Sequence, residues 1–151
     1  MTRHENAQPA EDIRRLLRDQ PYAVLCTQGH FQPYGSLIAF AITEDLRTLV
    51  FATPVDTRKY RFLLECDRVA VVVDSRSTTT LDVMGIEAVT AIGQASIVAA
   101  GAEFDHLVAL LTQRHPLLAD FVHAESSALF RVQMAEYLYV SRFQDVQRWL
   151  P

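Results

Sequence analysis

The run Arg68-Val69-Ala70-Val71-Val72-Val73-Asp74 constrains the fold more than any other segment. Four valines in five positions favour a pleated strand over a helix, and apolar residues on both faces require that strand to be covered on both sides. Such a strand needs neighbours. They are supplied by Tyr22 to Gln28, Phe31 to Thr43 and Arg47 to Thr53, read as strands separated by the turns Gly29-His30 and Glu44-Asp45. Asp82 to Ala99 reads as a further strand, bent or interrupted near Gly85 and Gly93, where a missing Cβ allows a bulge or a tight backbone approach. Leu129 to Val140 is the last, with Val132, Met134 and Leu138 alternating against Arg131, Gln133 and Tyr137 or Tyr139.

Helices punctuate this series. Pro9 to Gln20 places Ile13, Leu16 and Leu17 at helical spacing and is closed by Pro21. Thr57 to Glu65 can turn Tyr60, Phe62, Leu63 and Leu64 toward a core. Gly101 to Arg114 presents Phe104, Leu107, Val108, Leu110 and Leu111 on one broad face, ends at His115-Pro116, and is followed by a short helical turn through Phe121. Ser75 to Leu81 reads as a polar loop, and the tail Gln144 to Leu150 as a helix. Consecutive hairpins with short helices predict an antiparallel β-barrel with α decoration, of α+β class. With 151 residues, half of them hydrophobic, and no repeat or linker, a single domain over residues 1–151 is expected.

A net charge of −4 argues against a nucleic-acid surface, which leans on a basic face. No uncharged apolar segment approaches the roughly 18–20 residues of a membrane span. Cys26 and Cys66 form no C-x-x-C pair and read as reduced, packed thiols. The expected setting is cytoplasmic. His106, His115 and His123 lack the spacing of a zinc helix, so no metal site is assigned. Trp149 reads as docking the tail onto the core.

Lys59 is the only lysine, and it stands in Thr57-Arg58-Lys59-Tyr60 directly after the strand ending at Thr53. A strand that turns through Pro54-Val55-Asp56 into a helix starting with a hydroxyl, a guanidinium and an ammonium gathers backbone N–H groups, a positive dipole end and two cations. This is a candidate phosphate site, and an ordinary capped helix with a solvated basic first turn shares the same spacing.

Pro33-Tyr34-Gly35-Ser36-Leu37, Phe51-Ala52-Thr53 and Thr57-Arg58-Lys59, in this order, resemble the pyridoxamine 5′-phosphate oxidase-like FMN-binding split-barrel family. Ala91-Ile92-Gly93-Gln94-Ala95 looks like that family's I-G-x-A strand, and Val140-Ser141-Arg142-Phe143 with Trp149 looks like its closing segment. The resemblance implies an antiparallel split β-barrel binding FMN across a homodimer interface. It implies that Thr53, Thr57, Arg58 and Lys59 hold the phosphate, with Asp56 as helix cap, and that the backbone at Tyr34, Gly35, Ser36 and Leu37, with Ala52, orients the ring. The implied activity is FMN-dependent oxidoreduction of a small molecule, with a reduced nicotinamide as electron source. Oxidation of pyridoxamine phosphate is not expected, because the longer carboxyl-terminal segment with paired arginines is missing. Ala88 stands where those oxidases place a glutamine that reaches the flavin. Related short proteins of the fold bind haem or the deazaflavin F420, and a non-catalytic flavin binder is a further alternative; in a haem protein His115 or His123 would be the axial ligand.

Overall fold

The computed structural model describes residues 7–78 and 82–151; Thr79, Thr80 and Leu81 of the expected loop lie outside them. Among these described residues, eight strands form one antiparallel sheet: β1 (Tyr22–Gly29), β2 (Gln32–Ala39), β3 (Ala41–Ile42), β4 (Thr48–Pro54), β5 (Arg68–Asp74), β6 (Ala88–Ile97), β7 (Ser127–Ser141) and β8 (Asp145–Trp149). Four helices accompany them: α1 (Ala7–Asp19), α2 (Arg58–Glu65), α3 (Ala102–Arg114) and α4 (Ala119–His123).

The strand order β2-β1-β5-β6-β7-β4-β3 places β2 at one edge and β3 at the other, although only Phe40 separates them in sequence. One residue can join opposite edges only if the sheet curls round on itself, which makes the split barrel. Phe40 is wholly buried at this corner. The single strand expected from Phe31 to Thr43 is therefore broken there, because its two parts serve opposite edges. The fold is the antiparallel split β-barrel of α+β class that the sequence led us to expect.

The barrel interior is filled by one face of every long strand, including Leu25, Ile38, Phe51, Val71, Val89 and Val132. Helix α1 joins this core through Ile13, Leu16 and Leu17, and α2 joins it through Leu63. A second cluster lies on the other face of β4 and β7, where Val50 and Leu129 pack against Leu107, Val108 and Leu111 of α3 and Val122 of α4. Burying apolar area at about 25 cal/mol per Å² makes these two clusters the main source of stability.

The buried face of β7 changes phase midway. Phe130, Val132 and Met134 point inward at even positions, then Tyr137 and Tyr139 at odd ones. The β6 partners explain the change: Gly93 pairs with Met134 and Ile92 with Glu136, leaving Ala135 as an extra residue, a β-bulge. Since side chains alternate with period two, one inserted residue exchanges the faces beyond it. The expectation of Leu138 inside and the tyrosines outside is thus corrected. Tyr137 reaches the interior and donates its hydroxyl proton to Leu46 O at 2.6 Å, and burial pushes its pKa up. Gly93 is the close approach foreseen at that position, because a Cβ there would lie 2.4 Å from Gln133 O.

Three further expectations change. The tail is a strand, β8, since Arg142 and Phe143 at φ 47° and 70° turn the chain back into a hairpin with β7. Trp149 lies 5.7 Å from Tyr137, ring to ring, and does dock this tail on the core. Near Gly85 the chain forms a 3₁₀ turn, Val83–Gly85, capped by the Asp82 carboxylate accepting from Met84 N at 3.0 Å, and the strand begins only at Ala88. Cys26 and Cys66 are free thiols, half-buried rather than packed inside.

Gly93→Ala forces a Cβ against backbone rather than against a movable side chain. The expected cost is about 1–3 kcal/mol, the range for overpacking, read as a lower urea midpoint with unchanged slope; an unchanged midpoint would mean that the bulge is not pinned by this contact.

Candidate functional site

Strand β4 ends at Pro54, where its register partner is Ser127 at the start of β7, and Val55 N donates to Ser126 O at 2.9 Å. This tie fixes the exit of the turn that leads into α2. Thr57 is the N-cap: its φ and ψ of −98° and 156° are extended, and its Oγ1 accepts from Tyr60 N at 3.2 Å. The cap is therefore Thr57 and not Asp56, which leaves Arg58 and Lys59 as the first two helical residues and their N–H groups free of intrahelical partners.

Thr53 is wholly buried and its Oγ1 lies 3.2 Å from Thr57 Oγ1; Thr57 Oγ1 also donates to Pro54 O at 3.0 Å. Both hydroxyls brace the turn from inside. Ala52 is half-buried on the opposite face of β4, packed against the second cluster. Arg58 is exposed and lies over the Tyr34 ring, 5.4 Å from its centroid, while Phe62 meets the same ring edge-on at 5.9 Å. Tyr34 thereby connects β2 to the start of α2, so two separate motifs of the sequence come together in space. Lys59 is half-buried, and burial lowers its pKa; none of the described carboxylates forms an ion pair with it.

On β2, Tyr34 and Ser36 share the face turned toward Ile38 and the interior, and Gly35 and Leu37 share the outer face. Ser36 Oγ is buried without a hydrogen-bond partner. An orphaned buried hydroxyl costs on the order of 1–3 kcal/mol, so a ligand that offers it a partner recovers free energy. Because β2 is an edge strand paired only with β1, half of its backbone N–H and C=O groups also lack ladder partners. Gly35 has room for a Cβ, which would meet only Val24 Cγ1 at 3.4 Å, so within this chain nothing requires glycine there. Ser127, opposite Pro54, carries the second unpartnered buried hydroxyl. Its place beside the turn follows from β4–β7 register, and no local motif announces it.

The histidines lie differently. His115 Nε2 is 3.0 Å from Phe40 O, and its ring stacks on Tyr22 at 6.0 Å. That nitrogen is engaged in holding the barrel corner. His123 is exposed, 6.3 Å from the Phe104 ring, and His106 is exposed on α3.

A sequence profile for pyridoxamine 5′-phosphate oxidase matches residues 9–141. The chain belongs to the pyridoxamine 5′-phosphate oxidase family. Among solved structures, the haem-binding protein from Mycobacterium smegmatis superposes with a TM-score of 0.83 at 14% identity, covering 93% of this chain and 57% of that one. The present chain thus spans little more than half of that relative. HutZ, described as a haem storage protein of Vibrio cholerae, superposes with a TM-score of 0.71 at 18% identity over 82% of this chain and 88% of its own. General stress protein 26 from Bacillus anthracis does so with a TM-score of 0.70 at 18% identity over 95% and 98%. At these identities the likeness is one of fold. No protein of curated function matches. The match of the pyridoxamine 5′-phosphate oxidase family spans every element from α1 to the end of β7, and so includes both β2 and the Thr57-Arg58-Lys59 turn.

Thr57→Ala removes both the cap acceptor and the brace to Pro54, and should lower stability by about 0.5–2 kcal/mol, measured by urea unfolding. Thr57→Ser should restore most of it; equal losses in both variants would show that the methyl group, not the hydroxyl, matters.

Proposed function

We propose that the protein binds FMN and acts as an FMN-dependent oxidoreductase on a small molecule. The observation that carries this reading is Lys59: a half-buried ammonium without a carboxylate partner among the described residues, at a helix N-terminus beside Arg58 and a braced pair of threonines. Such an arrangement offers a charge-assisted donor to an external anion. A phosphate monoester fits it, with Arg58 and Lys59 as charged donors and the α2 N–H groups completing the cradle. Orphaned Ser36 Oγ and the free edge of β2 fit a flat heterocycle with hydrogen-bonding groups along one side. Bound there, the flavin would supply two-electron redox chemistry, and the protein's part is to hold the phosphate, align the ring edge and limit water.

A homodimer with the cofactor at its interface belongs to the same proposal. The outer face of β2, β1, β5 and β6 is apolar and uncovered: Leu37 is 69% exposed, and its register neighbours Val24 and Val72 continue the strip to Ala70 and Ile92. Burying such a strip favours association. A cytoplasmic setting and a reduced nicotinamide as electron donor are also part of this reading. A haem-binding function is the second reading, favoured by the fold likeness to haem-binding proteins. The engagement of His115 with Phe40 O counts against its serving as axial ligand, which leaves exposed His123.

The purified protein should carry, or take up from added FMN, a two-band visible spectrum that follows it through gel filtration at the dimer volume. Replacing Arg58 and Lys59 together by alanine should weaken FMN about 100-fold or more, since each charge-assisted contact contributes about 1.5–3 kcal/mol. Unchanged flavin affinity in that variant would refute the site, and a Soret band with no flavin retained would favour haem.

Affinity should also depend on pH with a defined sign. Burial holds the Lys59 pKa below the ordinary lysine value, and a bound phosphate would raise it again. FMN binding should therefore weaken as pH rises through the lowered Lys59 pKa, measured by flavin fluorescence titration. Lys59→Ala should flatten that alkaline limb; a limb that persists in the variant would assign the titration to another group.

A further inference from the structure

We propose that the cleft between α1, β3 and α3 is a second ligand site, for a free carboxylate carrying an apolar chain. The cleft has a volume of about 410 Å³, within the range of small-molecule sites. Leu17, Ile42, Leu46 and Leu110 line it, and Leu17 and Leu46 are core residues, so its floor is continuous with the barrel interior.

Its walls are tied together from both sides. Arg14 Nε donates to Glu44 O at 3.3 Å, joining α1 to the turn after β3. Arg114 on α3 donates through Nη2 to Leu17 O, Arg18 O and Gln20 O at 2.7, 3.0 and 2.6 Å, capping the carbonyl end of α1. These bonds make the cleft part of the rigid packing rather than a gap between loose segments.

Charge selects the ligand. Three guanidinium groups, of Arg14, Arg18 and Arg114, face one carboxylate, Glu44, among the described lining residues. Arg14 is already engaged by Glu11. The Arg114 head is held by neutral carbonyl oxygens and lies over the Phe40 ring, 4.6 Å from its centroid; its Nε has no hydrogen-bond partner among the described residues, and its burial disfavours the charged form. The Arg18 guanidinium has no hydrogen-bonded or ionic partner among the described residues. The free Arg18 head beside an apolar floor, with the clamped Arg114 adding positive charge that has no counter-ion among the described residues, suits a ligand with one anionic head and a hydrocarbon body. The site shares no residue with the candidate cofactor site of Tyr34, Gly35, Ser36, Leu37, Ala52, Thr53, Thr57, Arg58 and Lys59, and does not depend on the cofactor reading.

Decanoate is the probe. Titrated into isotopically labelled protein and followed by ¹⁵N–¹H correlation spectra, it should give saturable shifts centred on the amides of Leu17, Ile42 and Leu110. Decanol, with the same chain and no charge, should bind at least about tenfold more weakly. Arg18→Gln, at an exposed position, should lose about tenfold in decanoate affinity and Arg18→Lys should keep most of it. Equal affinity for decanol, unchanged affinity in Arg18→Gln, or shifts confined to other regions would overturn the proposal.

Discussion

The ladder between β6 and β7, with its single bulge at Ala135, is the constraint on which the rest of the structure rests. Strand β7 pairs with β6 along one side for most of its length, while its other side is shared between two partners, β4 up to Gln133 and β8 from Tyr137. A straight, unbroken strand would keep one face to one core throughout. The extra residue exchanges the faces instead, and Met134 N turns to Arg47 O at 2.9 Å at the crossover. The first half of β7 can then put Phe130 against Phe51, ring centroids 5.5 Å apart, and the second half can bring Tyr137 and Tyr139 under α1. The bulge also bends the strand and increases its twist, which adds to the curvature of the barrel.

The far end of that first half determines the site. Because β4 is held to β7 through Pro54 and Ser127, the chain leaves the barrel at a fixed point and direction, and the hydroxyls of Thr53 and Thr57 lock the turn before α2 begins. Arg58 and Lys59 then sit on the first turn of a helix packed against β1 and β4. At the hairpin between β1 and β2, His30 N donates to Glu65 Oε1 at 2.9 Å, which fastens β2 to the same helix. A Cβ on Gly29 would lie 2.3 Å from the Phe62 ring, so the approach of hairpin to helix depends on a missing side chain. The two motifs that make up the candidate site are thus joined by packing and not by adjacency in sequence.

This explains what the sequence could and could not disclose. Strands such as Arg68–Asp74 were legible to the residue, because β-branched density is a local property. The Thr57-Arg58-Lys59 turn was legible for the same reason, since a cap and its first helical residues are neighbours. Asp56 and Thr57 both suit a helix cap by residue type, and the extended φ and ψ of Thr57 with its bond from Tyr60 N identify it as the cap. The inward tyrosines of β7 were not legible: a bulge is decided by pairing across the sheet, and alternation read from one strand carries no sign of it. The tail Gln144 to Leu150, expected as a helix, is a strand because two left-handed residues, Arg142 and Phe143, turn it back onto β7, and this pairing is not visible in so short a segment. Ser36 could be named as a candidate from its motif, but its lack of a partner is a property of the closed barrel.

Two half-buried cations show how differently one chain can treat the same cost. Desolvation disfavours the charged form of both Arg114 and Lys59. Around Arg114 the protein supplies carbonyl oxygens from the end of α1, so the planar guanidinium, with several donors in fixed directions, is converted into a structural clamp. Around Lys59 no described hydrogen-bond acceptor or carboxylate is supplied, and the ammonium stands at the positive end of a helix, where it is further disfavoured. A chain selected for stability alone would replace such a lysine or pair it. Keeping a charge uncompensated by the described residues makes sense if an anion completes the arrangement, so that the cost of desolvating the ammonium is offset on binding.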